Sequence, residues 1–282
     1  MVIATQTFGL KAEFAADLTG TIQALHDAGF QAIEPMVLFQ DRQGNKPKNL
    51  WAFDTLKTAW EKMQSLDMRI SSVHIGVGFG WLSMPVSLIV KNILLIHEMY
   101  GVRDYVVSAP FGTAAQAKHW AKLTRSISDA VAPQGCRILY HNHDDEFRSV
   151  RYQGKTVAAM DVFLEHTSPD VLLQLDVGWA GMAGEETAIA ARYAKRIASV
   201  HLKDFYAPYT NGRYTRKNMP AQAFAPIGEG AIATRDILSA CQDLPNFSGN
   251  FIIDQDKSSA DMLKALEIGC RNISAMLAAE ET

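Results

Sequence analysis

Eight short apolar segments recur along the chain, and each is followed by a stretch in which apolar residues have helical spacing. The apolar segments lie at 2–9, 31–36, 69–76, 104–110, 136–143, 171–178, 197–204 and 249–256. Such short and almost continuously apolar segments are typical of strands in a parallel sheet that is covered by helices. Strands that alternate with helices pair in parallel through right-handed crossovers. Because eight such units are present, we predict an α/β fold that closes into a single (β/α)8 TIM barrel.

The helical stretches carry start and stop signals. Asp17 is expected to cap a helix that ends at Gly29, and Asp54 precedes the next apolar face in the same way. Further helices are predicted at about 84–100, 113–131, 157–166, 185–195, 233–242 and 258–278. No linker or low-complexity segment interrupts the alternation, so residues 1–282 are expected to form one domain.

The composition narrows the classes of function. The 282 residues are 48% hydrophobic and carry a formal net charge of −3, so we expect no basic surface for nucleic acid. Cys136, Cys241 and Cys270 form no paired motif, which favours a reducing compartment over a disulfide framework. Lys91 and Asn92 interrupt the longest apolar stretch, and no leader pattern opens the sequence. We therefore expect a cytoplasmic protein that does not enter a membrane.

Carboxylate and imidazole side chains cluster where the predicted strands end. They are Glu34, His74, His141, His143, Asp176, His201, Asp204, Asp254 and Asp256, with Asp144, Asp145 and Glu146 just beyond the fifth strand. Such groups cost roughly several kcal/mol each in apolar strands unless they are paired or bind a metal. The carboxyl ends of the strands are also where a barrel carries its catalytic groups. Carboxylates with imidazoles and no thiolate suit a divalent cation, and the mixed set favours Mn²⁺, with Co²⁺, Zn²⁺ or Mg²⁺ as alternatives.

Several motifs resemble those of the xylose isomerase-like barrel superfamily, in particular its sugar phosphate isomerase/epimerase branch. The matching pieces are GFQAIEP (29–35), SSVHIG (71–76), YHNHDDEF (140–147), LDVGW (175–179), VHLKDF (200–205), PIGEG (226–230) and IIDQD (252–256). They follow the order of the family and together span nearly the whole chain. The ordered set is specific, although no single piece is decisive.

The resemblance implies a metal held by four residues from the fifth, sixth, seventh and eighth strands. Asp176 and His201 match two of these positions directly. The position on the eighth strand is usually Glu and is Asp254 here, which shortens the side chain by one methylene. On the fifth strand the candidates are His141, His143 and Glu146, and the match to relatives that carry HNHxxEF favours Glu146.

The resemblance also implies the chemistry. In this family the metal chelates the carbonyl and an adjacent hydroxyl of a keto-sugar or inosose, so that a base can remove the α-proton and form an enediolate. His143, Glu146 and Asp254 are the expected acid and base residues. The expected substrate-binding residues are Glu34, His74, His141 and Lys203. Return of the proton gives epimerisation or isomerisation, and loss of a β-substituent gives elimination.

The sequence leaves three alternatives open. A lyase or dehydratase on the same barrel, acting on an inosose or a 3-keto-glycoside, would suit the aromatic and basic segment 205–230, which is long for a βα connection. Endonuclease IV-like repair enzymes share the barrel but need a basic surface, and a non-catalytic barrel is favoured mainly by Asp254. We expect a homo-oligomer or a pair with another subunit, and we expect Trp81 and Trp179 to line the pocket.

Overall fold

The computed structural model describes residues 1–40, 50–77, 84–184 and 186–279, so Trp81 lies outside the described residues. Fourteen strands occur in these ranges. They are β1 (Val2–Gln6), β2 (Ala32–Glu34), β3 (Met36–Gln40), β4 (Arg69–Ile70), β5 (Val73–Val77), β6 (Asp104–Val107), β7 (Arg137–His141), β8 (Ser149–Tyr152), β9 (Lys155–Ala158), β10 (Val171–Asp176), β11 (Ile197–Leu202), β12 (Asp204–Phe205), β13 (Phe224–Ala225) and β14 (Asn250–Ile253).

Ten of these strands form one parallel sheet that closes into a ring. Their order is β3-β5-β6-β7-β10-β11-β14-β1-β2-β4. β2 and β3 are two parts of the second barrel strand, interrupted at Pro35, which has no N–H to donate to a sheet. β4 and β5 likewise form the third strand, and because β2 pairs with β4 while β3 pairs with β5, the two ends of the order meet. The predicted (β/α)8 barrel is confirmed, with β6, β7, β10, β11 and β14 as its fourth to eighth strands.

Ten α-helices connect the strands within the described ranges. They are α1 (Lys11–Ala16), α2 (Leu18–Asp27), α3 (Phe53–Gln64), α4 (Val86–Tyr100), α5 (Ala114–Val131), α6 (Ala159–Glu165), α7 (Val177–Ala183), α8 (Glu186–Tyr193), α9 (Thr234–Gln242) and α10 (Met262–Ala278). Asp17 caps α2 as predicted, since its carboxylate accepts a hydrogen bond from the N–H of Gly20 at 2.8 Å. Asp54 does not cap α3, which begins at Phe53. It lies in the first turn instead, where its negative charge interacts favourably with the helix dipole.

The barrel interior is apolar along its middle and carries polar groups toward the carboxyl ends of the strands. Val106, Leu139, Leu172 and Ala198 form one buried cluster, and Ala4, Ala32 and Ile252 form another. Successive side chains on a strand point to opposite faces, so the residue two positions further on faces the same interior. Leu139 is therefore followed by His141, Leu172 by Gln174 and Asp176, Ile252 by Asp254, and Ala32 by Glu34. This period of two gathers the polar groups at the carboxyl end of the barrel.

Two short antiparallel hairpins lie outside the barrel sheet, β8 with β9 and β12 with β13. The strands of the second pair, β12 and β13, enclose most of the long segment 205–230 between them. None of the helices in the described part of the chain has the length and apolar character needed to cross a membrane.

Candidate metal centre

Four buried residues from four neighbouring strands bring their ligand atoms together at the carboxyl end of the barrel. They are His141, Asp176, His201 and Asp254, each of which offers one nitrogen or oxygen within 4.8 Å of the others. His141 and Asp176 are the last residues of β7 and β10, His201 is the next-to-last residue of β11, and Asp254 follows β14 directly. Two imidazoles with two carboxylates can hold a divalent cation. The structure thus brings together three residues of the predicted ligand set, with His141 as the fourth.

His201 is held on both sides by carboxylates. Its Nε2 lies 2.8 Å from Oε1 of Glu34, and its Nδ1 lies 3.2 Å from Oδ2 of Asp254. Glu34 therefore lies behind His201, in the position from which a carboxylate fixes the ring orientation of a metal-binding histidine. Burial lowers the pKa of His201, but the charge of Glu34 and the hydrogen bonds to both carboxylates outweigh it and raise the pKa to about 10.

Glu34 is the centre of a buried hydrogen-bond network. Its Oε2 accepts hydrogen bonds from the hydroxyl of Ser72 and from the amide of Gln174, the latter at 2.6 Å. Burial favours the neutral form of Glu34, but the charges and hydrogen bonds of His201 and His74 hold its pKa well below the usual range. Gln174 also contacts Nδ1 of His141 at 3.2 Å, which leaves Nε2 of that ring as the atom available for a metal.

His74 lies against this network on β5. Its Nδ1 is 3.5 Å from Oε1 of Glu34, and its ring centroid is 5.3 Å from that of His141. Two of the four predicted substrate-binding residues, Glu34 and His74, thus lie at the site, with Glu34 completely buried beneath His201.

A buried ammonium group lies among three carboxylates of the site. Nζ of Lys203 is 3.2 Å from Oδ2 of Asp176, 2.8 Å from Oδ2 of Asp254 and 2.7 Å from Oδ2 of Asp256. It also lies 5.0 Å from the centroid of the Trp179 ring. Burial lowers the pKa of Lys203, but the three carboxylates outweigh this and raise it above its usual range, so the group stays charged.

The carboxylate of Asp176 supplies a test of whether a cation fits. Its Oδ1 accepts a hydrogen bond from the N–H of Trp179 at 2.8 Å, which starts α7 and fixes the side chain. Its Oδ2 is fully buried and makes no hydrogen bond among the described residues, and its charged contact is the Lys203 ammonium at 3.2 Å. A buried carboxylate oxygen without a donor is costly unless a cation contacts it. With three carboxylates sharing one ammonium, the site retains excess negative charge, so the residues present fit a divalent cation.

Glu146 does not lie in the group of four. It belongs to a short 3-10 turn, Asp145–Phe147, that folds back against the fifth strand. Its Oε1 is 2.8 Å from the hydroxyl of Tyr140, and its Oε2 accepts a hydrogen bond from the N–H of His143 at 2.9 Å. The sequence predicted Glu146 as a metal ligand and His141 as a substrate-binding residue. In the structure His141 lies with the other three ligand residues. Glu146 is hydrogen-bonded to Tyr140 and to the backbone of His143 instead.

His143 stands beside the group without a partner for one ring nitrogen. Its ring centroid is 5.0 Å from that of His141, and its Nδ1 is buried without a hydrogen-bond partner among the described residues. Burial, together with the positive charges of Arg216 and Lys203, holds the pKa of His143 well below its usual value. The ring is therefore neutral.

Hydrogen bonds hold the long segment 205–230 at the carboxyl end of the barrel. Asp204 accepts hydrogen bonds from the N–H groups of Phe205, Gly228, Gly230 and Ile232 at 2.9–3.0 Å, so it anchors the PIGEG motif and does not pair with Lys203. At the other side of the site, the backbone N–H of Arg216 lies 3.3 Å from Oδ1 of Asp144, and its Nη2 lies 3.4 Å from Oδ2 of Asp145.

Sequence reasoning missed two polar residues of the site. Gln174 joins Glu34 to His141, and it interrupts the apolar run VLLQLD just as Asp176 does, so the same signal was available. Arg216 was noticed only as part of a basic segment, because nothing in its local sequence reveals that the loop returns to His143.

Comparisons with known proteins agree with this architecture. No curated protein matches the sequence. A sugar phosphate isomerase/epimerase from Parabacteroides distasonis superposes with a TM-score of 0.74 at 20% identity, covering 97% of this chain and 93% of that chain. The probable 3-DHS dehydratase AsbF of Bacillus anthracis gives 0.69 at 11% identity, with coverage of 97% and 99%. A Mycobacterium smegmatis xylose isomerase-like TIM barrel protein in complex with magnesium gives 0.69 at 14% identity, with coverage of 99% and 97%.

These identities support similarity of fold alone. A family model provides the assignment, since the one described as xylose isomerase-like TIM barrel matches residues 22–271, which is most of the sequence. The chain therefore belongs to the xylose isomerase-like TIM barrel family.

Proposed function

We propose that this protein is a divalent-metal-dependent sugar isomerase or epimerase that enolises a keto-sugar or inosose. The observation that carries the proposal is the convergence of His141, Asp176, His201 and Asp254 within 4.8 Å at the carboxyl ends of four barrel strands. Active sites of such barrels lie at this face. The magnesium-bound relative and the isomerase/epimerase and dehydratase names among the similar structures add support by analogy.

The proposed ligands are these four residues, with His141 taking the place that the sequence prediction gave to Glu146. Two nitrogen and two oxygen donors suit Mn²⁺ best, with Co²⁺, Zn²⁺ or Mg²⁺ as alternatives. When bound, the cation would polarise the carbonyl of the substrate and lower the barrier to loss of the neighbouring proton.

The side chains of the protein would carry the proton. His143 has a neutral ring with an unpartnered nitrogen beside the metal site, so it is the proposed base. The ammonium of Lys203 would donate hydrogen bonds to substrate hydroxyls once a bound cation had taken its place on Asp176 and Asp254, and Arg216 would close the site from the long loop. His74 would contribute a further polar contact to the sugar.

A lyase or dehydratase is the second candidate, and one observation favours it over an epimerase. The carboxylate of Asp254 is engaged by both Lys203 and His201, so it is poorly suited to act as a second base. Epimerisation through opposite faces needs two proton carriers, whereas isomerisation along one face and β-elimination each proceed with one base. His143 alone can fill that role.

Metal analysis of the purified protein tests the proposal. We expect about one divalent ion per chain, loss of that ion in Asp176→Ala, and its retention in Asp129→Ala, which alters an exposed carboxylate on α5. A wild-type protein that holds no stoichiometric ion after incubation with Mn²⁺, Co²⁺, Zn²⁺ and Mg²⁺ would contradict the assignment.

Incubation of the loaded protein with a panel of keto-sugars and inososes in D₂O separates the reactions. Incorporation of deuterium with the carbon skeleton and its hydroxyls retained identifies an isomerase or epimerase. Loss of water or of an aglycone identifies a lyase. Absence of both exchange and loss across the panel, with the metal bound, would favour a non-catalytic barrel.

A further inference from the structure

A second cavity lies at the end of the barrel opposite the metal centre. It has a volume of about 600 Å³ and opens between the amino ends of four barrel strands. Arg69, Asp104, Arg137 and Asn250, which are the first residues of β4, β6, β7 and β14, line it. Because all barrel strands are parallel, this cavity and the carboxyl-end metal centre face away from each other. A ligand bound here would not touch the groups that carry the proposed reaction.

The walls of this cavity carry uncompensated positive charge. Arg137 is neutralised, since its Nε and Nη2 contact the two oxygens of Asp104 at 2.7 and 2.6 Å. Asp104 is the one carboxylate among the residues that line the cavity. Arg69 contacts only the side-chain oxygen of Asn250, at 3.3 Å, and the guanidinium of Arg103 has no hydrogen-bond or ion-pair partner in the described part of the chain. The guanidinium groups of Arg69 and Arg103, both on exposed residues, therefore have no ion-pair partner among the described residues, and the nearby carboxylate of Glu61 lies outside the residues that line the cavity.

Two hydroxyl groups at the same cavity also lack partners. Oη of Tyr100 and Oγ of Ser71 are buried, and neither has a hydrogen-bond partner among the residues described. A buried hydroxyl without a partner costs roughly 1–3 kcal/mol, so such groups usually mark a site for water or a ligand. Burial and the charge of Glu61 raise the pKa of Tyr100, so its hydroxyl keeps its proton and can donate. The Tyr100 ring is fixed by an edge contact with Trp60 at 5.6 Å between centroids.

We propose that this cavity binds a small phosphate ester. The guanidinium fork of arginine matches the oxygens of a phosphate group, and Arg69 and Arg103 have such forks free to donate. Tyr100 and Ser71 also line this cavity, with their hydroxyl oxygens buried behind its wall. The cavity is larger than a phosphate ion requires, and its size falls in the range of small-molecule sites. The organic part of the ligand would therefore lie against Trp60, the aromatic wall of the cavity.

Calorimetric titration with inorganic phosphate and with phenyl phosphate tests this site. The protein is kept metal-free with a chelator, so that phosphate cannot bind at the other end of the barrel. We expect saturable binding of one phenyl phosphate per chain, tighter than that of inorganic phosphate. Arg69→Met and Arg103→Met should each weaken it about tenfold or more, because each removes charge-assisted hydrogen bonds.

Two further variants serve as controls. Arg235→Met removes an exposed arginine on α9, away from the cavity, and Asp176→Asn alters the metal centre. Both should leave phenyl phosphate binding unchanged, and circular dichroism confirms that each variant is folded. Any one of three results would overturn the proposal. The first is no binding up to about 10 mM, and the second is binding that Arg103→Met leaves unaffected in a folded protein. The third is binding that Arg235→Met or Asp176→Asn weakens equally.

Discussion

The carboxyl group of Glu146 is completely buried, and burial favours a bound proton more strongly than the hydrogen bonds from Tyr140 and His143 oppose it. The Tyr140 hydroxyl lies 2.8 Å from both the carbonyl of Ala109 and Oε1 of Glu146, but it has one hydrogen to donate. When that hydrogen goes to Ala109, a protonated Glu146 can donate in turn to the tyrosine oxygen. Its other oxygen accepts from the N–H of His143. Burial raises the pKa of Glu146 from 4.5 to about 7.

A raised pKa makes the stability of the protein depend on pH. The folded state binds this proton more tightly than the unfolded state, so the contribution is complete below pH 4.5 and is lost as the pH rises through about 7. Each pKa unit corresponds to about 1.4 kcal/mol, so ionised Glu146 costs the folded protein about 3 kcal/mol at pH 8. A glutamine reproduces the protonated form, because its NH₂ can face the Tyr140 oxygen while its carbonyl accepts from His143.

We therefore expect Glu146→Gln to match the wild type near pH 4.5 and to be more stable at pH 8 by about 3 kcal/mol, roughly 5–10 °C in melting temperature. The assay is unfolding followed by circular dichroism between pH 4.5 and 8 with chelator present, with Glu98→Gln on the exposed face of α4 as the control. A variant that is less stable than the wild type at pH 8, or a difference that does not change with pH, would refute the reasoning. Loss of divalent-metal affinity in Glu146→Gln would instead support the ligand role that the sequence predicted.

Three further predictions follow from contacts at the site. Glu34→Gln should lower divalent-metal affinity about 10–100-fold in calorimetric titrations, because Glu34 orients His201 from behind; an unchanged affinity with a raised KM would identify a substrate-binding role. Lys203→Met should destabilise the metal-free protein by about 3–5 kcal/mol, since three buried carboxylates lose their cation. Saturating metal should restore most of this loss. A melting temperature equal to that of the wild type without metal would argue against the ion cluster. Asp204→Ala should lower the free energy of unfolding by about 3 kcal/mol or more, because four backbone N–H groups lose a charged acceptor. The metal content should stay at the wild-type value. A parallel loss of metal would show that the loop shapes the metal centre.

The barrel and three of the four residues of its centre could be predicted from the sequence. The alternation of apolar strands with helices determines the order of the sheet, and parallel strands bring their carboxyl ends together. Asp176, His201 and Asp254 therefore meet because each follows an apolar run at the same end of a strand. The same rule predicts Gln174, whose neutral amide gave no reason to consider it as part of a charged site.

The fourth member of the group, His141, depends on where the fifth strand ends. His141 faces inward because it lies two residues after the interior residue Leu139, and this follows from the period of a strand once the strand's end is known. The position of Glu146 depends on a 3-10 turn that reverses direction beyond the strand. Helix α7 was missed for a similar reason, because the apolar run continues through LDVGW while Asp176 ends the strand and caps a helix.

The ammonium of Lys203 bears on how this barrel would acquire its ion. In zinc fingers the bare ligands leave the chain unfolded until the metal arrives. Here the acidic cluster already holds a tethered cation, so the polypeptide can complete folding first and take up the ion afterwards. An ion held by Asp176 and Asp254 would displace that ammonium from both carboxylates and leave it on Asp256. Sodium and potassium carry no more charge than the Lys203 ammonium that they would replace. Competition from this ammonium would therefore favour divalent ions even where monovalent ions are far more abundant.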